Sequence, residues 1–260
     1  MNLGLQRKVI IVTGGAKGIG RAIVESIAAE GGIPVIADRD EQAATELFVE
    51  LTRRGTNAFS VATDLRKAEN CLSIIEATNV RYGRIHGIVN NAGVNDGVGL
   101  ENGSPQAFQA SLEKNLHHYY AMAHYGLPYL KESQGNIVNI SSKTAVTGQG
   151  GTSGYVAAKG GILGLTREWA AELTKYKIRV NAVLPAEVMT PLYENWLQSF
   201  EDPEAQKAAI EQRIPLEKRM TNASEIANAV VFLLSERASH ITGQHWHVDG
   251  GYVHLDRALE

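Results

Sequence analysis

The sequence predicts one α/β domain over residues 1–260, built on a doubly wound parallel sheet of seven strands with helices on both faces. Three observations predict this fold class. Short β-branched apolar runs alternate with longer segments of helical period, and a glycine-rich loop joins the first run to the first helix. The length of 260 residues is also within the range of a single α/β core.

Seven apolar runs predict the strands, at residues 9–12, 33–37, 58–62, 87–90, 136–140, 178–184 and 244–248. Between them, the clearest predicted helices lie at residues 19–30, 41–54, 104–130, 154–176 and 223–234. Crossovers between parallel strands are right-handed almost without exception, so this order places helices on both faces of one sheet.

One segment, residues 186–216, breaks the alternation because it contains no predicted strand. Its aromatic residues Tyr193, Trp196 and Phe200 stand at helix-compatible spacings. We expect a substrate-binding lid inserted into the domain, since ligands of open α/β sheets bind beyond the carboxyl ends of the strands. The alternative is a helix that only packs against the core.

Composition and charge argue against several classes of protein. The net charge is -3 and no basic block is present, which does not favour binding to nucleic acid. No apolar run approaches the ~18 residues of a membrane span, and the first residues lack a signal-peptide pattern, so we expect a cytoplasmic protein. The single Cys71 has no partner for a disulfide or a metal. The adjacent His117 and His118 point to different helix faces, so we expect no metal site.

The loop at residues 13–20 reads Thr-Gly-Gly-Ala-Lys-Gly-Ile-Gly and opens directly into a helix. In such a loop Gly14 permits a tight turn, Gly18 lets the backbone approach a pyrophosphate, and Gly20 allows close helix packing. Free N–H groups at the start of the helix can bind the phosphates. The loop therefore predicts a Rossmann-type dinucleotide site, whose residues here are Gly14, Lys17, Gly18 and Ile19.

An acidic residue, Asp38, ends the second predicted strand. A carboxylate there can accept hydrogen bonds from the hydroxyls of an adenosine ribose and would repel a 2′-phosphate. NAD is therefore favoured over NADP, although Lys17 and Arg39 are cations that partly offset the repulsion. After the third strand, Asp64 with Leu65 either meets the adenine edge or, as the alternative, Asp64 caps the next helix.

Tyr155 and Lys159 are four residues apart in a predicted helix, so their side chains project from one face. A tyrosine of pKa about 10 is a poor base near neutrality, but a neighbouring ammonium and a cationic nicotinamide ring both favour the phenolate. Ser142, at the end of the fifth strand, can hydrogen-bond the reacting oxygen. This set predicts proton transfer at Tyr155.

The motifs occur in an order and at spacings that resemble the short-chain dehydrogenase/reductase family over essentially the whole chain. They are the loop at 13–20, the Asn-Asn-Ala-Gly string at 90–93, Asn115, Ser142, Tyr155 and Lys159. The resemblance implies an NAD-dependent dehydrogenase acting on a CH–OH group, and a homotetramer. It also implies that Asn115 orders a water in a proton relay with Lys159, which would hold the nicotinamide ribose.

The same resemblance extends the expected cofactor site. Asn91 is similar to the residue that supports the central sheet and the cofactor, and Thr190 resembles the residue whose hydroxyl contacts the carboxamide. Val188 is also expected in the cofactor site. Where many family members have Pro-Gly after the sixth strand, this chain has Pro185, Ala186 and Glu187. Glu187 therefore places a carboxylate near the nicotinamide side of the cleft or, as the alternative, points outward into solvent.

The segments expected around the cleft are polar and aromatic rather than aliphatic. The expected substrate residues are Asn95, Ser142, Lys143, Gln149, Tyr155, Glu187, Tyr193 and Trp196. Carboxylates and amides satisfy vicinal hydroxyls, and aromatic faces pack against the C–H side of a sugar ring. The strings at 91–97, 141–150 and 185–193 resemble those of sugar-oxidising family members. That implies oxidation of the anomeric hydroxyl of a sugar such as L-fucose, L-galactose or D-arabinose to its lactone.

Two other functions stay open at this point. The same chemistry serves a reductase of 3-oxoacyl or steroid substrates, and a non-catalytic module that senses NAD(H) needs only the cofactor site. The tail at residues 253–260 either reaches a substrate cleft, its own or a neighbour's, or ends without structure.

Overall fold

All seven strands of the computed structural model, which describes residues 2–255, run parallel in the order β3-β2-β1-β4-β5-β6-β7. The strands are β1 (Val9–Thr13), β2 (Ile33–Asp38), β3 (Phe59–Ala62), β4 (Gly87–Asn90), β5 (Asn136–Ile140), β6 (Arg179–Pro185) and β7 (His245–Val248). The predicted doubly wound sheet is confirmed. Its order reverses between β1 and β4, the switch point where ligands of open α/β sheets bind.

The described residues form nine α-helices. They are α1 (Gly18–Ala29), α2 (Glu41–Arg53), α3 (Ala68–Tyr82), α4 (Pro105–Leu112), α5 (His118–Ser133), α6 (Ser153–Leu173), α7 (Pro191–Leu197), α8 (Pro203–Glu211) and α9 (Ala223–Leu234). Helix α3 was not among the clearest sequence predictions, although its buried Cys71, Ile74, Ile75 and Thr78 keep a helical period. None of the described helices is both long and apolar enough to cross a membrane.

The alternation of side chains along β1 divides the core between the two faces of the sheet. Ile10 and Val12 face the side that is covered by α1, α2 and α9. Val9 and Ile11 face the opposite side, which is covered by α3, α5 and α6. The central strands β1, β2 and β4 are buried on both faces and are rich in apolar residues, which makes them readable in the sequence, whereas the edge strands β3 and β7 are only partly buried.

The single helix predicted at 104–130 is wrong. The structure has α4, then a π-helical turn at Glu113–His117, and then α5. Within this turn the buried Asn115 side chain donates to the Ser111 carbonyl oxygen at 3.0 Å. Such π turns occur frequently at functional sites, because the extra residue redirects one side chain.

The segment at 186–216 contains the short helices α7 and α8. Each has a proline in its first turn and a side-chain cap, from Thr190 for α7 and from Asp202 for α8. Val188 pairs with Thr221 in an isolated parallel bridge, which fixes the start of the segment beside the sheet.

Candidate active site

The glycine loop after β1 leaves no room for side chains. Gly14 and Gly18 have φ of +62° and +54°, a region that favours glycine. A Cβ on Gly18 would lie 3.3 Å from Cβ of Thr190, and one on Gly20 would lie 1.9 Å from the Gly14 carbonyl oxygen. The start of α1 therefore lies against the backbone of the loop, with Thr190 facing it. This cradle fits a dinucleotide phosphate.

Asn91 fastens the end of β4 to this loop. Its Nδ2 donates to the carbonyl oxygens of Thr13 and Gly14, both at 3.0 Å. Its backbone N–H donates to Oγ1 of Thr13 at 2.9 Å. These three bonds cross the switch point, so the geometry agrees with the supporting role expected for Asn91.

Asp38 is held at the end of β2 by two backbone donors. Its Oδ2 accepts from the N–H of Ala16, and its Oδ1 from the N–H of Asp40, both at 3.0 Å. Lys17, one of the two cations expected to offset the charge of Asp38, pairs with Asp40 at 2.5 Å instead. The carboxylate of Asp38 therefore keeps the position and charge that favour ribose hydroxyls.

Asp64 does not cap the following helix, so that alternative is wrong. Helix α3 begins at Ala68, with Lys67 as its N-cap residue. Asp64 instead forms a salt bridge with the Arg66 guanidinium and accepts from its N–H, and these contacts lower the pKa of Asp64 to about 2. A contact with adenine stays a prediction. The expected cofactor residues Ile19 and Leu65 pack against opposite halves of the core.

Ser142 and Tyr155 meet at the carboxyl end of β5. Burial raises the pKa of Tyr155 to about 12, opposed by a hydrogen bond with Ser142. The Ser142 oxygen also accepts from the backbone N–H and the hydroxyl of Thr144, at 3.2 and 3.0 Å. A hydroxyl that is fixed in this way can orient a substrate oxygen against Tyr155.

Lys159 is buried behind this pair. Its Nζ donates to the Ile140 carbonyl oxygen at 2.8 Å and to the Tyr119 hydroxyl at 3.0 Å, and it lies 5.6 Å from the ring centre of Tyr155. Burial lowers the pKa of Lys159 to about 7. We expected Tyr155 to favour the phenolate, but burial favours the neutral form of Tyr155 and also that of Lys159. A further positive charge beside Tyr155 is needed to favour its phenolate.

Asn115 reaches the same region from the π turn. Its Oδ1 accepts from the Val94 N–H at 2.7 Å. A Cβ on Gly93 would lie 3.0 Å from that Oδ1 and 3.3 Å from Nζ of Lys159, so the bare Gly93 lies between the two side chains. The structure thus brings together all four predicted catalytic residues.

Tyr119 also belongs to this centre, and its contact with Lys159 was not indicated by the sequence. Its ring is fully buried and its hydroxyl donates to the Ile140 carbonyl oxygen at 2.9 Å. The available signal was its position four residues after Asn115, the same spacing that links Tyr155 and Lys159.

A second polar cluster lies beside Ser142. Lys143 forms an ion pair with Glu187, and their side chains are only 10% and 13% exposed. The Tyr193 hydroxyl donates to the other oxygen of Glu187 at 2.8 Å, and the ring of Tyr252 lies 4.0 Å from Nζ of Lys143. The outward-pointing alternative for Glu187 is therefore wrong. Trp196 packs edge-on against Tyr193 and stays 45% exposed.

Two expected substrate residues do not join that cluster. Asn95 is exposed and accepts from the Gly97 N–H in a local turn, and Gln149 is also exposed. Asp96, which follows Asn95, instead bonds Lys114 at 3.1 Å and the Ser111 hydroxyl at 2.8 Å. These bonds tie the loop after β4 to the turn that carries Asn115.

The C-terminal segment approaches this region through Tyr252. Asp249 accepts from the Val253 N–H at 3.0 Å, and Nε2 of His254 lies 3.2 Å from Nδ1 of His247. The remainder of the tail, 256–260, lies outside the described residues, and with it the expectation that the tail reaches a cleft. Among residues 2–255, no group of three metal-ligating side chains is arranged to hold a metal ion.

Comparison with known proteins gives the family. A short-chain dehydrogenase/reductase model described as enoyl-(acyl carrier protein) reductase matches residues 14–253. The chain belongs to the short-chain dehydrogenase/reductase family and is an oxidoreductase of the kind that acts on alcohol groups.

Curated relatives differ in substrate. The L-fucose dehydrogenase of Bos taurus is 38% identical over 94% of this chain and 88% of that protein. A 3-oxoacyl-(acyl-carrier-protein) reductase of Thermotoga maritima is 32% identical over 96% of this chain and 99% of its own length.

Solved structures agree on the fold. The Cj0485 dehydrogenase has a TM-score of 0.95 and 49% identity, over 100% of this chain and 99% of its own. The aldohexose dehydrogenase of Thermoplasma acidophilum has a TM-score of 0.88 and 30% identity, over 97% and 96% of the two chains.

Proposed function

We propose that the protein oxidises the anomeric hydroxyl of a sugar, with L-fucose as the first candidate and L-galactose and D-arabinose as further ones, to the lactone. The observation that carries this proposal is the cluster of Lys143, Glu187 and Tyr193, in which Lys143 directly follows Ser142 in the sequence. It offers donors and acceptors to a polyhydroxylated ligand at the proton-transfer site.

The cluster favours a sugar over an acyl chain or a steroid on energetic grounds. Beside Ser142 the chain presents an ammonium, which carries three N–H groups, and a carboxylate, which has about four lone-pair sites. Vicinal hydroxyls can hydrogen-bond both groups at once. An aliphatic ligand would remove the remaining water from Lys143 and Glu187 without forming such bonds, which costs free energy.

In the proposed reaction the chain supplies proton transfer and orientation. Ser142 hydrogen-bonds the anomeric oxygen and points it at Tyr155, which takes the hydroxyl proton as C1 loses its hydrogen with the bonding electron pair and becomes the lactone carbonyl carbon. Bound NAD supplies the hydride acceptor and, in its oxidised form, a positive ring. That charge would favour the Tyr155 phenolate, which burial otherwise opposes. Lys159 then takes part in returning the proton to solvent.

NAD is the proposed cofactor, held by the glycine loop with Asp38, Asn91, Lys159 and Thr190. Support comes from the fixed Asp38 carboxylate and from the pairing of Lys17 with Asp40, since neither favours a 2′-phosphate. The relatives support the sugar as well, because an L-fucose dehydrogenase and an aldohexose dehydrogenase are among them.

The second candidate is a 3-oxoacyl reductase, which the Thermotoga maritima relative favours. A panel of substrates separates the two functions. We expect NADH absorbance to rise with L-fucose, L-galactose or D-arabinose, and to stay flat with simple secondary alcohols and steroids. No turnover of the three sugars, together with reduction of a 3-oxoacyl thioester, would assign the second function instead.

We also propose that the protein is a cytoplasmic homotetramer, a state that the resemblance to the family implies. The stacked rings of Phe232 on α9 and Trp246 on β7, 5.5 Å apart, provide an apolar surface for a symmetric contact. Light scattering at micromolar concentration should give four times the chain mass, and a monomer would contradict the proposal.

A further inference from the structure

The hydroxyl of Tyr119 has a fixed direction. Its one proton is donated to the Ile140 carbonyl oxygen at 2.9 Å, so towards Lys159, 3.0 Å away, its oxygen acts as an acceptor. The side chain is fully buried, and its ring packs in the core beneath α5. A phenylalanine would fill the same volume without that acceptor.

Lys159 depends on few partners for its charge. Of the three N–H groups of an ammonium, one goes to the Ile140 carbonyl oxygen and one to Tyr119, which leaves one for a ligand on the side of Tyr155. In the described part of the chain no carboxylate forms an ion pair with Lys159. The hydroxyl of Tyr119 is therefore one of two protein oxygens that stabilise the buried charge.

The other groups around Lys159 do not replace that oxygen. From α6 it faces Tyr155, from the π turn Asn115, and from α5 the imidazole of His118 beside Tyr119. Burial lowers the pKa of His118 to about 4, so this ring is neutral near pH 7, and its Nε2 bonds the Lys114 carbonyl oxygen at 3.0 Å. None of these groups accepts a hydrogen bond from Nζ of Lys159.

We propose that Tyr119 is a positioning residue of this active site, whose hydroxyl oxygen favours the charged form of Lys159 against the effect of burial and holds the side chain in place behind Tyr155. The inference rests on the proposed function, in which a charged Lys159 supports the Tyr155 phenolate. Tyr119 would thus support the four expected catalytic residues by acting through Lys159, without a contact of its own to substrate or cofactor.

The test compares Tyr119→Phe with Tyr120→Phe. Tyr120 is the next residue, 55% exposed, and stacks on His124 rather than on Lys159. A hydrogen bond to the charged form raises the pKa of an amine, so its loss lets Lys159 lose its proton at lower pH. In Tyr119→Phe the alkaline fall of kcat/KM should move down by about one pH unit, with kcat lowered about tenfold. Tyr120→Phe should match the parent.

A purely structural role would give a different result. If Tyr119→Phe lowers kcat/KM by the same factor at every pH, or changes nothing, the proposal is wrong. Thermal unfolding of both variants shows whether the fold survives the substitution.

A second arm does not need turnover. The pH dependence of NADH affinity, followed by NADH fluorescence, should shift in Tyr119→Phe but not when the same change is made in a Lys159→Met background, which has no ammonium. An equal shift in both backgrounds would overturn the inference. A parent enzyme inactive on all three sugars would instead count against the proposed substrate, and this arm would still decide the role of Tyr119.

Discussion

A half-buried tyrosine and a buried lysine, with opposite charges in their ionised forms, meet at the proposed catalytic centre. Burial raises the pKa of Tyr155 to about 12 and lowers that of Lys159 to about 7. Before a cofactor binds, both groups are therefore biased towards their neutral forms. We expect a cationic ring beside them to reverse this bias for Tyr155, so that the base would form when the hydride acceptor is bound.

Replacing Tyr155 with phenylalanine separates catalysis from cofactor sensing. We expect kcat/KM to fall about 10³-fold, within the usual range for a lost general base, while the Kd for NAD stays about the same. NADH absorbance and fluorescence titration measure the two quantities. An NAD-sensing module would show no sugar oxidation to lose, and an unchanged rate in Tyr155→Phe would exclude Tyr155 as the base.

The charge of Glu187 should affect the binding of the sugar but not the binding of NAD. Glu187→Gln keeps the size of the side chain but removes the carboxylate from the ion pair with Lys143. A hydrogen bond to a charged group contributes about 1.5–3 kcal/mol, so KM for the sugar should rise roughly ten- to a hundredfold. The matched control is Glu194→Gln, an exposed glutamate on α7. Equal effects of the two changes on KM would contradict a role for Glu187 in sugar binding.

These residues show which parts of a site can be predicted from the chain. Tyr155 and Lys159 lie on one helix face, so their spacing alone indicates a joint role. Lys143 and Glu187 are 44 positions apart, on loops after different strands, and the sequence indicates their polarity but not their pairing. The spacing of residues along the chain does not predict which side chains of two separate loops meet in space.

At the scale of elements, the π turn before α5 illustrates a similar limit. A helical period runs through 104–130 and predicts one continuous helix, but the bond from Asn115 to Ser111 and the one from the Val94 N–H to Asn115 accompany the extra residue. The second bond comes from another loop. A tertiary contact of this kind does not alter the helical spacing of apolar residues in the sequence, so the sequence does not predict the π turn.

The start of α9 provides a pH-dependent stability test. Arg219 lies beside Glu225 and holds the pKa of that carboxyl at about 2, below the ordinary 4.5. A carboxyl whose pKa is lowered in the folded state stabilises the fold at pH values above its ordinary pKa. This contribution is lost as pH falls from about 4.5 towards 2. Both side chains are more than a third exposed, so solvent screening limits the effect to about 1 kcal/mol or less.

The variant for that test is Glu225→Gln, which keeps a capping side chain at the third helical position and removes only the charge. The urea unfolding free energy should fall by up to about 1 kcal/mol near neutral pH, and the difference should vanish at low pH. The exposed Glu201→Gln is the control. A difference that persists at low pH would show that the charge of Glu225 is not its cause.

For the whole molecule, the seven strands of a doubly wound sheet could be predicted, but the helices within residues 186–216 could not. The central strands are readable because helices bury both faces of the sheet, whereas α7 and α8 are short and depend on their caps and on the Val188–Thr221 bridge. The substrate preference resides mainly in such loops, which is why the fold alone leaves it open.

Cofactor choice should be visible in global stability. A ligand present at about 100 times its Kd stabilises the folded state by about 2.7 kcal/mol, so NAD should raise Tm clearly. The fixed Asp38 carboxylate predicts a smaller rise with NADP at the same concentration. A larger rise with NADP, or a higher kcat/KM with it, would contradict the proposed NAD preference.

In the proposed reaction a hydride leaves the anomeric carbon of a sugar for NAD, with Tyr155 as the base. L-fucose that carries deuterium at C1 tests this step when the isotope is followed by mass spectrometry of the reduced cofactor. We expect NADH with one deuterium, one lactone formed per NADH, and slower turnover than with unlabelled sugar if hydride transfer limits the rate. NADH without deuterium, or deuterium retained in an oxidised sugar, would contradict it.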